Sequence, residues 1–242
     1  MKFLPLIKKE LKDEKNIFLF GSLALIIFFA FLFTKIGKWE KGTPLSIGII
    51  LSVSALLIYP LIKGFLSLRD EWDKDTVYLL LSLPVRRFKI LLAKLIIKAL
   101  EIALFSTITI TSSYLIMLKE FGHTFGISIP EMLQVLGMLY LLSISLSIVP
   151  FFSYTVSRCM RRFRRIIIGI TYLGFFLLYG RTVKVGSKLV GFIPNPVFTV
   201  FEPASKIIKR NVFEISGLYY FFIFSIIFML VTLFLFEKEV EV

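Results

Sequence analysis

The chain is poor in the side chains on which most catalytic and metal sites depend. Its 242 residues include a single cysteine, Cys159, and a single histidine, His123. One cysteine cannot form an internal disulfide, and an isolated histidine argues against a metal centre or histidine-based catalysis. The sequence also lacks a Gly-x-x-x-x-Gly-Lys-Ser/Thr motif, the familiar loop that cradles nucleotide phosphates. We therefore expect no catalytic, cofactor-binding or metal-binding residues, and no ATPase activity, in this chain.

Charged residues are scarce relative to apolar ones. They make up 19% of the sequence, whereas 57% is hydrophobic and 27 residues are phenylalanine. A soluble protein of this size could not bury so much apolar surface, so the composition predicts an all-α integral membrane protein in contact with membrane lipid. The net charge of +13 does not indicate nucleic-acid binding. Lysine and arginine cluster beside the hydrophobic segments instead, as the positive-inside rule predicts.

Hydrophobic runs long enough to cross a bilayer divide the chain into six predicted spans within one transmembrane domain, 1–242. In chain order these are about 17–34, 45–62, 88–118, 131–154, 163–180 and 217–236. Six spans place both termini on one side of the cell membrane. The segments on that side carry more lysine and arginine than the segments on the other, which predicts cytoplasmic amino and carboxyl termini.

Two segments outside the spans have their own patterns. Residues 1–16 interleave lysines with apolar side chains, which predicts an interfacial helix lying flat at the headgroups; the alternative is a frayed tail. Residues 181–216 contain an apolar stretch interrupted by three prolines. Broken apolar backbone at membrane depth needs protein or water around it, so this segment is predicted to be an external re-entrant loop.

The third predicted span carries charged residues on one face of a helix. They are Arg87, Lys94, Lys98 and Glu101, at i, i+7, i+11 and i+14. Each would cost about 2.5–3.5 kcal/mol at the centre of a bilayer. We therefore place them at a cytoplasmic mouth, with the lysines snorkelling to the headgroups and Glu101 paired with Lys98 one turn earlier.

Small hydroxyl residues and arginines mark two further regions. The hydroxyls of the third span either serve helix packing or line a polar translocation path: Ser106, Thr107, Thr109, Thr111, Ser112 and Ser113. In the fourth span, Ser143, Ser147 and Pro150 predict close helix packing with a proline kink. The arginines that follow it are predicted to fix the topology on anionic headgroups: Arg158, Arg161, Arg162, Arg164 and Arg165.

The linker between the second and third spans, 63–87, is densely charged and amphipathic. On a helix its apolar side chains fall on one face: Trp72, Thr76, Leu79, Leu80 and Leu83. Acidic residues crowd the first turns, where the helix dipole favours carboxylates, and Pro84 ends the helix or starts the next one. A short helix of this kind suits docking on the membrane surface or on a soluble partner in the cytosol.

The linker and the next helix resemble the type-2 permeases of ATP-binding-cassette exporters. The matching residues are Glu71, Asp75-Thr76, Leu80-Leu81-Ser82-Leu83-Pro84-Val85, Arg87 and Ala93-Lys94. They are similar to the family's acidic residue, Gly-Thr pair, Leu-Leu-x-x-Pro-Val motif and downstream lysine, with Asp75 in place of the glycine. In layout, the resemblance covers essentially the whole chain.

This resemblance implies a permease subunit that moves a substrate across the membrane with the help of a separate cytosolic nucleotide-binding ATPase. The linker would contain the coupling helix, and the implied coupling residues are Glu71, Trp72, Asp75, Thr76, Leu79, Leu80 and Pro84. A second permease subunit, identical or related, is also implied. For Glu71 the alternative is a solvated carboxylate at a helix start.

Two other functional classes remain open from the sequence. A non-transporting scaffold or regulator could dock a cytosolic ATPase through the same linker. An intramembrane enzyme would need paired ionisable groups within the bilayer, and the in-span candidates reduce to Glu101 near one edge.

Overall fold

The computed structural model describes residues 3–73, 86–122, 129–160, 163–192, 197–202, 207–212 and 216–238. These residues form six long helices and one β-hairpin. The helices are α1 (Phe3–Lys35), α2 (Thr43–Asp73), α3 (Arg87–Phe121), α4 (Ile129–Cys159), α5 (Arg164–Val190) and α6 (Ser216–Lys238). The hairpin pairs β1 (Val197–Glu202) with β2 (Ile207–Val212) in antiparallel register, from Val197 opposite Val212 to Glu202 opposite Ile207.

Five of the six described helices, all except α3, are long and apolar enough to cross a membrane. Their outward faces carry large apolar side chains such as Phe20 of α1, Leu177 of α5 and Leu230 of α6. In water this exposed area would be strongly unfavourable, whereas lipid tails accept it. The predicted class, a multi-pass α-helical membrane protein, is confirmed. The third predicted span, 88–118, corresponds to α3, which carries the buried charges described below.

The helices alternate in direction between two ends of the bundle. At one end, the linker end, α2 finishes and α3 begins, and the Phe88 backbone N–H donates to Glu237 near the end of α6 at 2.9 Å. At the opposite end, the Gly42 N–H before α2 donates to the Glu120 carboxylate near the end of α3. Both the start of α1 and the end of α6 therefore lie at the linker end, as six alternating helices require.

Helix α4 is the packing centre of the bundle, because it contacts α2, α3, α5 and α6. Its side facing α5 and α6 is a phenylalanine-rich cluster in which Phe175, Phe221 and Phe224 are buried with Val149. The ring centroids of Phe175 and Phe224 lie 5.2 Å apart in an edge-to-face arrangement. Such pairs add about 0.5–1.5 kcal/mol each to the apolar burial.

The amino-terminal segment does not form the separate interfacial helix predicted for residues 1–16. From Phe3 onward it is continuous with the first span as one 33-residue helix, α1. The apolar side chain that anchors it is Leu6, buried against Ile90 and Ala93 of α3. Leu4, another apolar side chain of this segment, is exposed. The segment stays in line with the span because α3 holds its inner face.

The prediction of a re-entrant loop over 181–216 is wrong in its first ten residues, which continue α5 to Val190. No proline interrupts these residues, and basic side chains such as Lys188 are favourable near a helix carboxyl end. The hairpin follows where an irregular segment was predicted. Its first strand, Val-Phe-Thr-Val-Phe-Glu, is rich in β-branched and aromatic residues, which favour a strand.

A glycine allows α2 and α4 to approach closely. A Cβ built on Gly64 would lie 2.6 Å from the Pro150 ring and 3.2 Å from the Ser147 carbonyl oxygen, both on α4. The prolyl ring and the backbone oxygen have little freedom to move aside. The close packing predicted around Ser147 and Pro150 is therefore confirmed, and its partner is α2.

We expect Gly64→Ala to destabilise the protein by about 1–3 kcal/mol through overpacking. The matched control is Gly137→Ala in α4, because a Cβ there meets nothing within 4 Å. Both substitutions carry the same helix-propensity gain of about 1 kcal/mol. Thermal unfolding in detergent measures the difference, and equal behaviour of the two variants would mean that α2 and α4 do not touch at Gly64.

Candidate functional site

A buried network of charged side chains joins α1, α2 and α3 toward the linker end. Its most enclosed members are Glu10, Lys94, Lys98 and Glu101, whose residues are 4%, 5%, 2% and 0% exposed. Charged residues are almost never buried to this extent unless they are paired. The network is therefore the candidate functional site.

Two ion pairs connect α1 to α3 like successive rungs. Lys94 Nζ lies 3.0 Å from Glu10 Oε2, and Lys98 Nζ lies 3.0 Å from Glu14 Oε1. Both pairs link residues 84 positions apart in the chain, so the two helices run parallel here and their turns stay in step. The spacing of four residues on each helix places both partners on the same face.

Helix α2 closes the network from the other side. Tyr59 donates a hydrogen bond from its hydroxyl to Glu101 Oε1, while the other carboxylate oxygen, Oε2, accepts from Lys98 Nζ at 2.9 Å. Four residues later on α2, Lys63 Nζ lies 3.7 Å from Glu14 Oε2. Glu14 of α1 therefore contacts both α2 and α3, and Glu101 of α3 contacts α2 as well as Lys98 of its own helix.

Each carboxylate of this network faces at least one ammonium group. Glu10, Glu14 and Glu101 face the ammonium groups of Lys63, Lys94 and Lys98, and the half-exposed Lys9 lies 4.0 Å from Glu10 at the edge of the network. Apolar contacts close both sides: Leu6, Ile90 and Ala93 pack together nearby, and the Phe105 ring meets Tyr59 edge-on with centroids 5.6 Å apart. With water largely excluded, removing one partner would leave an uncompensated charge.

The network can hold helices together mechanically. Every described member has a charged or hydroxyl partner within the network, so it offers no poised nucleophile and no acid–base pair facing a cleft. Its ion pairs hold the start of α1, the second half of α2 and the start of α3 in one fixed arrangement. Two of these helices, α2 and α3, are the ones that the 63–87 linker connects.

The predictions made for the four residues of the cytoplasmic mouth have different outcomes. The pairing of Lys98 with Glu101 is confirmed. The prediction that Lys94 and Lys98 snorkel to the headgroups is wrong, because both are buried in ion pairs with α1. Arg87 is the first residue of α3, and its side chain lies outside the described part of the structure.

The predicted coupling residues fall at or beyond the end of α2. Glu71 and Trp72 belong to its last turn by backbone, and their side chains are not described. The remaining members lie outside the described residues: Asp75, Thr76, Leu79, Leu80 and Pro84. The structure therefore leaves their coupling role a prediction, while showing that α2 carries its helix directly into the linker.

Sequence reasoning missed the partners on α1 and α2. Glu10 and Glu14 repeat the four-residue spacing of Lys94 and Lys98 with opposite charge, and this match is the signal that could have found them. The lysines of residues 1–16 led instead to the prediction of an interfacial helix at the headgroups. Tyr59 carries no comparable signal, since an isolated tyrosine in a span is more often a packing residue.

Comparison with known families gives one match. The family model described as ABC-2 family transporter protein matches residues 7–181, which is well over half of the chain. The matched region contains the whole buried network and the linker. No curated protein and no solved structure matches the chain.

A double-mutant cycle on Lys94 and Glu10 tests whether this pair is a buried ion pair. We expect Lys94→Met or Glu10→Gln alone to destabilise the protein by about 3–5 kcal/mol, because each removes one partner of a buried ion pair. The double variant should be less destabilised than the sum of the two by at least about 1 kcal/mol. Chemical or thermal unfolding in detergent provides the three values.

The control for this cycle is Lys12→Met. Lys12 lies on the same helix as Glu10 and is exposed, so the change should alter stability by less than about 0.5 kcal/mol. If Lys94→Met were as mild as Lys12→Met, or if the double variant were strictly additive, the pair would not contribute as described.

Proposed function

Because the chain belongs to the ABC-2 transporter family, with the permease role that this entails, we propose that it is the membrane subunit of an exporter powered by a separate nucleotide-binding ATPase. The chain would carry the substrate path, and the ATPase would supply the energy of ATP hydrolysis. The observation that carries the mechanism is the buried network, which binds both helices flanking the linker to α1.

In this proposal the linker, 63–87, is the contact with the ATPase. A push on the linker acts at once on the end of α2 and the start of α3. Tyr59 and Lys63 of α2 are joined to Glu101 and Glu14, and Lys98 of α3 is joined to both carboxylates. The three helices would therefore tilt together as a rigid body, the usual form of such transitions.

The individual coupling roles follow from the chemistry of the linker. Glu71 would pair with basic side chains on the ATPase. Trp72, Leu79 and Leu80 would fill an apolar groove on it, while Asp75, Thr76 and Pro84 would set the course of the backbone. Arg87 would lie at the cytoplasmic mouth, where α3 enters the bundle.

Orientation and assembly are part of the same proposal. The linker must face the cytosol to meet an ATPase, so both termini, which lie at the same end of the bundle, would be cytoplasmic. The positive-inside pattern supports this orientation. A second permease subunit, identical or related, would complete the substrate path, and the broad apolar faces of α1 and α5 offer surface for it.

Charge reversal at Glu71 tests the coupling role. We expect Glu71→Lys to insert normally in the membrane but to weaken association with the ATPase by about 2–5 kcal/mol, because an acidic partner becomes a like charge. Co-purification with the ATPase subunit and the ATP hydrolysis rate of the reconstituted complex are the measurements. Asp70→Lys is the matched control, since this neighbouring residue is exposed and lies outside the family motif.

Normal association and normal hydrolysis in Glu71→Lys would contradict the role assigned to Glu71. Failure of any ATPase to co-purify with the unaltered chain, despite correct insertion, would contradict the partner itself. Uptake of a candidate substrate into inside-out vesicles, dependent on ATP, would separate an exporter from a scaffold that only docks an ATPase.

A further inference from the structure

A cavity with four arginines lies at the linker end, apart from the buried network. Its volume is about 390 Å³, and it is formed where α2, α4 and α5 meet. Arg69 comes from α2, Arg158 from α4, and Arg164 and Arg165 from the first turn of α5. Among the described residues that line it none is acidic, and the four guanidinium groups give the cavity a positive electrostatic potential.

The remaining walls of the cavity are largely apolar. Phe65 of α2, Tyr154 of α4 and Ile168 of α5 form them, together with Ser157. Tyr154 is itself buried and positions one of the arginines: its hydroxyl accepts a hydrogen bond from Arg158 at 2.5 Å, and the guanidinium carbon lies 5.1 Å from its ring centroid. The site thus combines four guanidinium groups with an apolar floor.

The start of α5 adds to the positive potential. No side chain caps this helix, and Phe163 precedes it in a left-handed conformation with φ of 60°. The first backbone N–H groups of a helix have no partner within the helix, and they carry partial positive charge that favours anions. Those of Arg164 and Arg165 belong to residues that line the cavity.

We propose that this cavity binds the phosphate group of an anionic phospholipid. Guanidinium groups recognise phosphate through paired, charge-assisted hydrogen bonds. A lipid is favoured over a soluble anion because exposed apolar side chains adjoin the arginines: Phe163 and Ile166 are 73% and 58% exposed. The headgroup phosphate would meet the arginines while the glycerol and acyl chains follow these side chains.

This assignment differs from the general attraction of basic residues to a membrane surface. A phosphate held by arginines from α2, α4 and α5 would join three helices at the end of the bundle where the linker leaves α2. It would therefore stabilise their relative arrangement whenever the lipid is bound. The inference does not depend on the exporter mechanism, since it rests on the cavity alone.

The test compares two double variants of the full chain in nanodiscs of phosphatidylcholine with about one-fifth phosphatidylglycerol. Arg164→Gln with Arg165→Gln removes two exposed charges from the cavity. Arg181→Gln with Lys184→Gln removes two exposed charges from the opposite end of the same helix. Native mass spectrometry of retained phosphatidylglycerol, and titration with a short-chain phosphatidylglycerol in detergent, give the affinities.

We expect at least about tenfold weaker binding of phosphatidylglycerol in the cavity variant, the size expected for lost charge-assisted hydrogen bonds, and no change in the control. Inorganic phosphate at millimolar concentration should not displace the lipid. Displacement by phosphate would keep the anion site but overturn the lipid as its source.

Equal loss in both variants would overturn the site, because it would show attraction to net charge alone. Unchanged lipid binding in the cavity variant would overturn it as well. If that variant also lost the ATPase subunit, the arginines would belong to a protein interface instead. Thermal unfolding of both variants verifies that they remain folded.

Discussion

The constraint on which this structure depends is the need to pair charges that lie among apolar helices. Lys94, Lys98 and Glu101 sit on α3 where solvent is nearly absent, and each would be very unfavourable alone. Partners come from α1 and α2, so the charges decide which helices must be neighbours and in what register. Replacing them all by well-packed apolar residues is expected to leave the bundle about as stable, since buried pairs contribute little net stability. Their value lies in specifying one arrangement of three helices.

That specification has a consequence for motion. Apolar helix surfaces can slide past one another with modest changes in packing, whereas ion pairs in a dry interior resist any displacement that separates them. The contacts of α4 with α5 and α6 are of the first kind, dominated by phenylalanine rings. The contacts among α1, α2 and α3 include the second kind. In a transporter driven from its linker, the α1–α2–α3 group would move as one body and the boundary along α4 would take up the change.

The sequence predicts the parts of this structure that depend on local pattern. The lengths of the apolar segments predict the membrane-spanning helices, and the three-residue spacing of Lys98 and Glu101 predicts their ion pair. The partners Glu10 and Glu14 were not predicted. Each lies 84 positions before its lysine, and a single sequence does not show which helices are adjacent. The extent of α5 was not predicted in full. The predicted fifth span stopped at residue 180, whereas the helix continues to Val190, and cations such as Lys188 are compatible with its last turn. The hairpin was not predicted, because the three prolines of residues 181–216 favoured a re-entrant loop.

Distance measurement by double electron–electron resonance tests the rigid-body claim most directly. Spin labels would be placed at exposed positions, Leu19 of α1, Leu100 of α3 and Ile170 of α5, in a chain with Cys159→Ser, reconstituted with its ATPase. The account predicts that the distance between Leu19 and Leu100 is the same in the nucleotide-free and ATP-bound states, while the distance between Leu100 and Ile170 changes. A shift between Leu19 and Leu100 as large as that between Leu100 and Ile170 would contradict it.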